Sequence, residues 1–165
     1  MSVLADRVLV RPVRESDVQT LLPLFRAFYG DHFGEAFTEE NVARRLRRIG
    51  RAETFLVAEE GGRLVGFTSL RVVPAIDPTP YAEVTDLFVV EDARRRGVGT
   101  ALVRHCEDLA RTRGAATLVL LTGHANPDAQ TFYRRLGYAD YALAFRKRLT
   151  SEDAAAARRR SGSVT

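Results

Sequence analysis

Residues 84–100 have the sequence VTDLFVVEDARRRGVGT, and this stretch decides the fold of the chain. Its β-branched and aromatic first half predicts a strand. The apolar stripe of residues 101–113 predicts a helix, which Gly114 ends. Between the two elements, Gly97 and Gly99 leave no side chain where the helix begins. The stretch is therefore predicted to form a strand, a tight glycine loop and a helix.

The loop between this strand and this helix is suited to binding an anion. The first N–H groups of a helix lack intrahelical partners, and the helix dipole adds partial positive charge there. Glycine lets a phosphate approach these donors, and Arg94, Arg95 and Arg96 bring full positive charges to the same place. A P-loop needs Gly-Lys-Ser/Thr and a dinucleotide fingerprint needs three glycines, and neither pattern is present. The loop therefore predicts a pyrophosphate site on the backbone of residues 95–100.

Length and composition limit the class of protein. The chain has 165 residues, of which 45% are hydrophobic and 28% charged, as is typical of one soluble globular domain. No apolar run is as long as a membrane span, and the N-terminus lacks the apolar segment of a signal peptide. The single cysteine, Cys106, lies on the apolar face of a predicted helix, so we expect a core residue. One cysteine cannot form an internal disulfide, which favours a cytoplasmic protein.

The charges argue against two kinds of partner. The net charge is +4, and the basic cluster at residues 44–51 alternates with apolar residues at helical spacing. Such a cluster is typical of the solvated face of an amphipathic helix, so nucleic-acid binding is not expected. No group of His and Cys residues has the spacing of metal ligands, so no metal is expected either.

The other patterns indicate a mixed α/β domain over residues 1–150, with residues 151–165 as a frayed tail. Ser16 and Gln19 form a capping-box pattern for the first helix, and Thr38 is placed to cap the second. The remaining predicted elements are a first strand at 8–14, helices at 16–29 and 38–50, a β-hairpin at 54–59 and 64–73, a strand at 117–122, a helix at 126–136 and a last strand or strand pair at 138–149.

Two motifs in this order resemble those of a known family. Arg94-x-x-Gly97-x-Gly99 is similar to the coenzyme A signature Arg/Gln-x-x-Gly-x-Gly/Ala of the GNAT superfamily of acyl-CoA N-acyltransferases. Residues 126–138 are similar to the family's Asn-x-x-Ala-x-x-Phe-Tyr-x-x-x-Gly-Phe/Tyr segment, and the order of elements across residues 7–149 agrees as well. The resemblance implies a central, mostly antiparallel sheet that splays at the acyl-CoA site and is flanked by helices.

The resemblance also implies which residues hold acetyl-CoA. The backbone of Leu87, Phe88 and Val89 would pair with the pantetheine arm. The pyrophosphate would lie on the glycine loop and the first turn of the helix: Arg94, Arg95, Arg96, Gly97, Val98, Gly99 and Thr100. Asn126 is either a helix cap or a hydrogen-bonding partner of the cofactor, and the sequence leaves both readings open.

Catalysis in such a protein needs an acid for the leaving thiolate and a donor for the thioester carbonyl. Tyr133 corresponds to the family's tyrosine general acid, and a phenol with a reference pKa of about 10 is protonated at neutral pH. A backbone N–H of Leu87 or Val89 would polarise the carbonyl. A core aromatic role for Tyr133 beside Phe132 is the alternative.

The amine also needs a base, and two carboxylates are candidates. Glu83 and Asp86 are three residues apart, so a regular strand points them to opposite faces, although a bulge would change this. We favour Glu83 slightly. Bacterial ribosomal-protein acetyltransferases carry a glutamate where this chain has Leu121, which weakens an N-terminal protein acceptor.

The expected function is transfer of an acetyl group from acetyl-CoA to a primary amine of a small molecule, by direct attack in a ternary complex. A protein lysine or N-terminal amine is the alternative acceptor, and a coenzyme A-binding module without turnover is the alternative of another class. The length of the acyl group and dimerisation, which is common in the family through its late strands, are left open. His32 and His124 are candidates to border the acceptor site. Six acidic residues form either an acidic mouth for a polyamine or aminoglycoside-like amine, or a solvated surface: Asp31, Glu35, Glu39, Glu40, Asp77 and Glu83.

Overall fold

The computed structural model describes residues 8–30, 37–74, 76 and 79–146. Within these ranges the chain forms five strands, four α-helices and two short 3₁₀ turns, at Glu15–Asp17 and Glu91–Ala93. The elements in chain order are β1 (Val8–Pro12), α1 (Val18–Tyr29), α2 (Glu39–Ile49), β2 (Glu53–Glu60), β3 (Arg63–Val73), β4 (Tyr81–Val89), α3 (Val98–Thr112), β5 (Thr117–Leu120) and α4 (Pro127–Arg135).

The five strands form one sheet in the order β1-β2-β3-β4-β5. Each pair from β1 to β4 is antiparallel, and β5 is parallel to β4. The predicted mixed α/β fold with a mostly antiparallel sheet is therefore confirmed. The β2–β3 hairpin turns at Gly61 and Gly62, whose φ angles of 58° and 79° are favoured by glycine and typical of a tight hairpin turn.

The two faces of the sheet carry separate apolar cores. In β2, Phe55 and Val57 pack with residues of α1 and α2, whereas Leu56 and Ala58 belong to clusters that contain residues of α3. This division follows from the period of two along a strand. Cys106 of α3 is fully buried, and burial raises the pKa of its thiol to about 11, so it is a neutral core group as predicted.

Helix α1 begins differently from the prediction. A 3₁₀ turn at Glu15–Asp17 precedes the helix, and the Asp17 carboxylate accepts a hydrogen bond from the Arg14 N–H at 2.7 Å at the start of this turn. Asp17 is the N-cap residue of α1 and no side chain caps the helix, so the predicted Ser16 cap is wrong. Asp17 also accepts two hydrogen bonds from the Arg11 guanidinium, at 2.8 and 2.9 Å, and Arg11 donates in addition to Glu59. This contact with β1 lies outside the Ser16–Gln19 pattern, so local sequence spacing does not reveal it. Thr38, in contrast, caps α2 as predicted.

The chain divides into two compact units between Pro127 and Asp128. In the second unit, α4 ends at Arg135, and Gly137 two residues later has a φ of 91° that turns the chain. The predicted strand at 138–149 is wrong for residues 138–146, which have no strand pairing, and residues 147–149 lie outside the described ranges. The apolar alternation of Tyr141, Leu143 and Phe145 suggested a strand, but these side chains are 65–90% exposed and a strand forms only with a hydrogen-bonded partner.

The tail predicted at 151–165 also lies outside the described residues, so the boundaries 1–150 stay a prediction. Among the helices that the structure describes, none combines the length and apolarity needed to cross a lipid bilayer.

Candidate active site

Strand β4 contains a bulge at its centre. Ser69 of β3 pairs with Asp86 and Leu70 pairs with Val84, so Thr85 is an extra residue in β4. Val84 packs toward α3, while Thr85 and Asp86 both line a cavity on the opposite face. The bulge changes the alternation of side chains along β4, which is the possibility that the sequence left open for Glu83 and Asp86.

The pairing of β4 with β5 stops at this bulge. The parallel ladder runs from Tyr81–Thr117 to Val84–Leu120, and β5 then ends. Within the described ranges, the following part of β4 is paired with β3 alone. The backbone of Leu87 and Phe88 therefore lies in the part of β4 that is not paired with β5.

A cavity of about 510 Å³ lies on the α1–α2 face of the sheet. Its apolar lining residues are Phe25, Phe37, Val42, Leu46, Ile49 and Phe55. Its polar lining residues are Tyr29, Arg45, Glu53, Thr85 and Asp86. The cavity thus has an apolar wall from the helices and β2, and a polar end that includes the bulge in β4.

The carboxylates of Asp86 and Glu53 belong to one polar network with Tyr29. The Tyr29 hydroxyl donates a hydrogen bond to Asp86. Burial raises the pKa of Asp86 above its usual range, the negative charge of Glu53 raises it further, and the bond from Tyr29 lowers it. Burial and the charge of Asp86 also raise the pKa of Tyr29, so its hydroxyl keeps its proton.

Hydroxyl groups orient the Glu53 carboxylate. Its Oε2 accepts hydrogen bonds from Ser69 at 2.5 Å and from Thr85 at 3.1 Å. In the part of the chain that the structure describes, no salt bridge involves Glu53 or Asp86. The polar end of the cavity therefore carries two carboxylates that form no ion pair among the described residues, and Arg45 is the one cation in the lining of the cavity. This excess of negative charge suits a bound ammonium group.

Glu83 has a different environment. Ala82 and Val84 pack with α3, so strand alternation points Glu83 to the same face as Asp86. Its carboxylate forms an ion pair with Arg71, with an Nη2–Oε2 distance of 2.6 Å, and it does not line the cavity. The two candidate bases thus share a face, but only Asp86 reaches the cavity.

The loop before α3 has the backbone geometry expected of an anion cradle. Gly97 is the N-cap residue of α3 with a φ of 88°, and no side chain caps this end of the helix. The first intrahelical bond is from the Ala101 N–H to the Gly97 carbonyl, so the N–H groups of residues 98–100 precede the helical ladder. A Cβ at Gly97 would meet nothing within 4 Å, so no side chain or backbone of the described residues packs on the Cβ side of this residue.

The arginines of the loop do not share one role. Arg94 donates from Nε to the Val89 carbonyl at 3.0 Å, and Arg96 forms an ion pair with Glu60 at 2.9 Å. Arg95 has a φ of 58°, a left-handed conformation that is uncommon outside glycine. Arg94 and Arg96 therefore hold the loop against β4 and the hairpin, in addition to their positive charge.

Tyr133 and Asn126 lie at α4. In the second unit, the Tyr133 ring packs 5.2 Å from that of Phe132 and 6.1 Å from that of Tyr138, and burial raises the pKa of Tyr133. Asn126 precedes α4, and its N–H donates to the Gly123 carbonyl. The raised pKa keeps the Tyr133 phenol protonated, as a general acid requires.

Of the five polar cavity residues, the sequence predicted only Asp86 as a site residue, although signals for two of the other four were present. Tyr29 lies four residues after Phe25 on the apolar stripe of α1, and Glu53 precedes Phe55 on one face of β2. Both positions therefore point toward the same core. Arg45 has no comparable signal, because arginines surround it on α2.

The other polar candidates within the described ranges do not line the cavity. Glu39 and Glu40 are exposed at the start of α2, His124 is exposed, and the other suggested residues His32, Asp31, Glu35 and Asp77 lie outside the described ranges. Among the described side chains, no group of three His, Cys, Asp or Glu residues could hold a metal ion.

The family model of the Acetyltransferase (GNAT) family matches residues 18–138, which include the cavity, β4, the glycine loop and α4. The chain belongs to the GNAT family. It is 33% identical to the uncharacterized N-acetyltransferase YhfO of Bacillus subtilis (strain 168) over 137 residues, covering 79% of this chain and 89% of that protein. It is 29% identical to an aminoglycoside N(6′)-acetyltransferase type 1 of Klebsiella aerogenes, with coverage of 86% and 97%.

Solved structures agree with the GNAT fold. The crystal structure of a transcriptional regulator from Bacillus halodurans C-125 matches with a TM-score of 0.77 and 21% identity, covering 86% of this chain and 99% of that chain. This likeness shows the fold alone. Membership of the GNAT family supports an acyl-CoA N-acetyltransferase activity for this chain.

Proposed function

We propose that this GNAT protein transfers an acetyl group from acetyl-CoA to a primary amine of a small molecule, by direct attack in a ternary complex. The observation that carries the proposal is the position of Asp86. Its carboxylate lies at the polar end of a 510 Å³ cavity, on the strand segment that has left β5. The aminoglycoside N-acetyltransferase among the relatives supports a small-molecule amine as acceptor.

The residues present fit acetyl-CoA. The open N–H groups of residues 98–100, with Gly97 at the N-cap, would bind the pyrophosphate. The backbone of residues 87–89 would pair with the pantetheine arm. Acetyl-CoA, when bound, supplies the acetyl group as an activated thioester.

Asp86 is the general base in this proposal, in place of the Glu83 that the sequence slightly favoured. An amine reaches the site mostly as ammonium and must lose a proton before it attacks. Asp86 accepts that proton directly or through a water, and its raised pKa brings it closer to the operating pH. Glu53 keeps a second negative charge beside the ammonium, while Glu83 is held by Arg71.

The remaining roles follow the family motif. Tyr133 donates a proton to the leaving thiolate, and a backbone N–H of Leu87 or Val89 polarises the thioester carbonyl. Asn126 either caps α4 or contacts the cofactor. These assignments rest on motif correspondence together with the protonated state of Tyr133.

The test is a thiol-release assay with acetyl-CoA over a panel of small amines and lysine peptides, combined with calorimetric binding of acetyl-CoA. We expect turnover of a small amine and affinity for acetyl-CoA that falls at least tenfold in Gly97→Glu, because a carboxylate then occupies the anion site. Gly62→Glu is the matched control, since Gly62 also has a positive φ but lies in the β2–β3 turn. Turnover of peptides alone would favour a protein acceptor, and binding without turnover would favour a coenzyme A-binding module.

A further inference from the structure

The apolar composition of the cavity wall favours some primary amines over others. Six of its lining residues are apolar, and three of them are phenylalanines. The Phe25 ring packs at 5.9 Å from Phe37 and 5.8 Å from Phe55, with ring planes at 32° and 76°. Such a wall offers no hydrogen-bonding groups to a hydroxylated or polyamine chain, whose polar atoms would lose water without compensation.

The charges of the cavity suit one ammonium group. Glu53 and Asp86 provide the negative charge at the polar end. Arg45 is the opposing charge: it lines the same cavity from α2, and its guanidinium carbon lies 5.9 Å from the centre of the Phe37 ring. A second ammonium on the ligand would be repelled by the positive charge of Arg45, an exposed residue of the cavity lining.

We propose that the acceptor is a primary amine with a single positive charge on an aromatic or aliphatic body, and that Arg45 selects against polyamines. This inference rests on the proposed function, because it names the acceptor of the same site. The ammonium lies between Asp86 and Glu53, and the apolar body packs against the phenylalanine wall. The acidic mouth considered from the sequence would instead have favoured polycationic acceptors.

The first test compares hexylamine with 1,6-diaminohexane, which have the same chain length and differ by one charge. We expect kcat/KM to be at least tenfold higher for hexylamine. Across butylamine, pentylamine and hexylamine, kcat/KM should rise about fourfold for each methylene, which corresponds to about 0.8 kcal/mol of buried CH₂. 2-Phenylethylamine should be acetylated, and kanamycin should be a poor acceptor.

The second test reverses the charge at the cavity wall. Arg45→Glu is expected to raise the ratio of kcat/KM for 1,6-diaminohexane over hexylamine about tenfold. Arg48→Glu is the matched control, because Arg48 is an exposed residue of the same helix that does not line the cavity, and it should leave the ratio unchanged. Equal responses of the two variants would overturn the role of Arg45.

The outcomes separate this inference from the function it rests on. Turnover of diaminohexane or kanamycin in preference to hexylamine would overturn the inference while supporting small-amine acetyltransfer. Absence of thiol release with every amine, at concentrations where acetyl-CoA binds, would overturn both.

Discussion

Asp86 is a carboxylate in surroundings that favour its protonated form. Burial removes part of its water shell and Glu53 adds a second negative charge, while only the hydroxyl of Tyr29 supports ionisation. A residue that served stability alone would gain from a nearby cation, and Glu83 has one in Arg71. Glu83 is thus held in an ion pair, whereas the surroundings of Asp86 raise its pKa, and this difference favours Asp86 as the functional carboxylate.

The first prediction concerns proton transfer by Asp86. Asp86→Asn should lower kcat/KM for the amine by about 100-fold or more, since general bases contribute about 10²- to 10⁴-fold. In the unmodified protein kcat/KM should fall as the pH drops through the raised pKa of Asp86, and this acid limb should be absent from the variant. The pH–rate profiles measure both effects. Glu83→Gln is the control and should keep activity within about threefold; the reverse pattern would identify Glu83 as the base.

The same residue gives a prediction about stability. The pKa of Asp86 is higher in the folded state than in the unfolded chain, so the folded state binds more protons and loses stability as the pH rises between the two values. Because asparagine does not titrate, Asp86→Asn removes this loss of folding stability at higher pH. We expect its melting temperature at pH 8 to equal or exceed that of the unmodified protein, measured by calorimetry. A lower melting temperature would mean that the carboxylate stabilises the fold.

The third prediction concerns Tyr133. Because burial raises its pKa, the phenol stays protonated through the neutral range, and Tyr133→Phe removes the donated proton without removing the ring. We expect kcat to fall about 100-fold with little change in the affinity for acetyl-CoA. The neighbouring Tyr138, whose ring lies 6.1 Å away, provides the control variant Tyr138→Phe. Equal kcat values for the two variants would assign Tyr133 to packing.

At the scale of elements, β3 and β4 approach each other closely at Gly66. A Cβ at this position would lie 2.6 Å from the Phe88 carbonyl oxygen and 3.3 Å from Cδ1 of Leu102. Only glycine allows β3 to approach both β4 and α3 so closely. The absence of a side chain at Gly66 thus allows the observed position of the Phe88 backbone, which we propose to pair with the pantetheine arm.

The fourth prediction tests this fit. Gly66→Ala should destabilise the fold by about 1–3 kcal/mol, because the Phe88 carbonyl must move, and should also weaken the binding of acetyl-CoA. Chemical denaturation and calorimetry measure the two effects. Gly123→Ala is the matched control, since a Cβ there meets nothing within 4 Å. If Gly66→Ala lost stability but bound acetyl-CoA as tightly as the unmodified protein, Gly66 would have no role in the cofactor site.

Local patterns predicted most of these elements. The Gly61–Gly62 turn, the Thr38 cap and the glycine loop before α3 each depend on residues close in sequence, and the structure has all three. The bulge at Thr85 could only be anticipated as one option, because it depends on how β4 pairs with β3. The strand predicted after α4 fails for the same reason, since alternation alone does not provide a partner.

At the scale of the whole molecule, Arg11 joins distant parts of the first unit. Its guanidinium bonds to Asp17, next to α1, and to Glu59 on β2, 48 residues away. The Arg11 and Asp17 side chains are only 11% and 10% exposed. The hydrogen bond from Arg11 is the main cause that lowers the pKa of Asp17.

The fifth prediction follows from this ion pair. The Asp17 pKa is lower in the folded state, so its contribution to stability is complete above the unfolded pKa and is lost as the pH falls through the folded pKa. Asp17→Asn should cost about 1–3 kcal/mol at pH 7 and much less at pH 2. Urea denaturation at both pH values measures the difference. A cost that did not depend on pH would show that the ion pair is not its source.

The candidate site depends on the same long-range assembly. Its proposed cofactor half lies mostly in one continuous stretch, residues 84–100, where the sequence motif predicts it. Its acceptor half combines Tyr29, Glu53 and Asp86 from three separate elements, so only the folded chain brings them together. The sequence limits the candidate general base to Glu83 or Asp86. It does not predict the shape or the polarity of the acceptor cavity.

The separate cores on the two faces of the sheet have a consequence for how such a protein can change. Most of the cavity lining comes from α1 and α2, whereas the proposed anion cradle for acetyl-CoA is the loop before α3. The two regions meet at Phe88, whose ring lies 5.7 Å from that of Phe28 in α1 and whose backbone belongs to the strand segment proposed to bind the pantetheine arm. Substitutions in α1 and α2 that keep this contact are therefore expected to change the preferred acceptor while the binding of acetyl-CoA is retained.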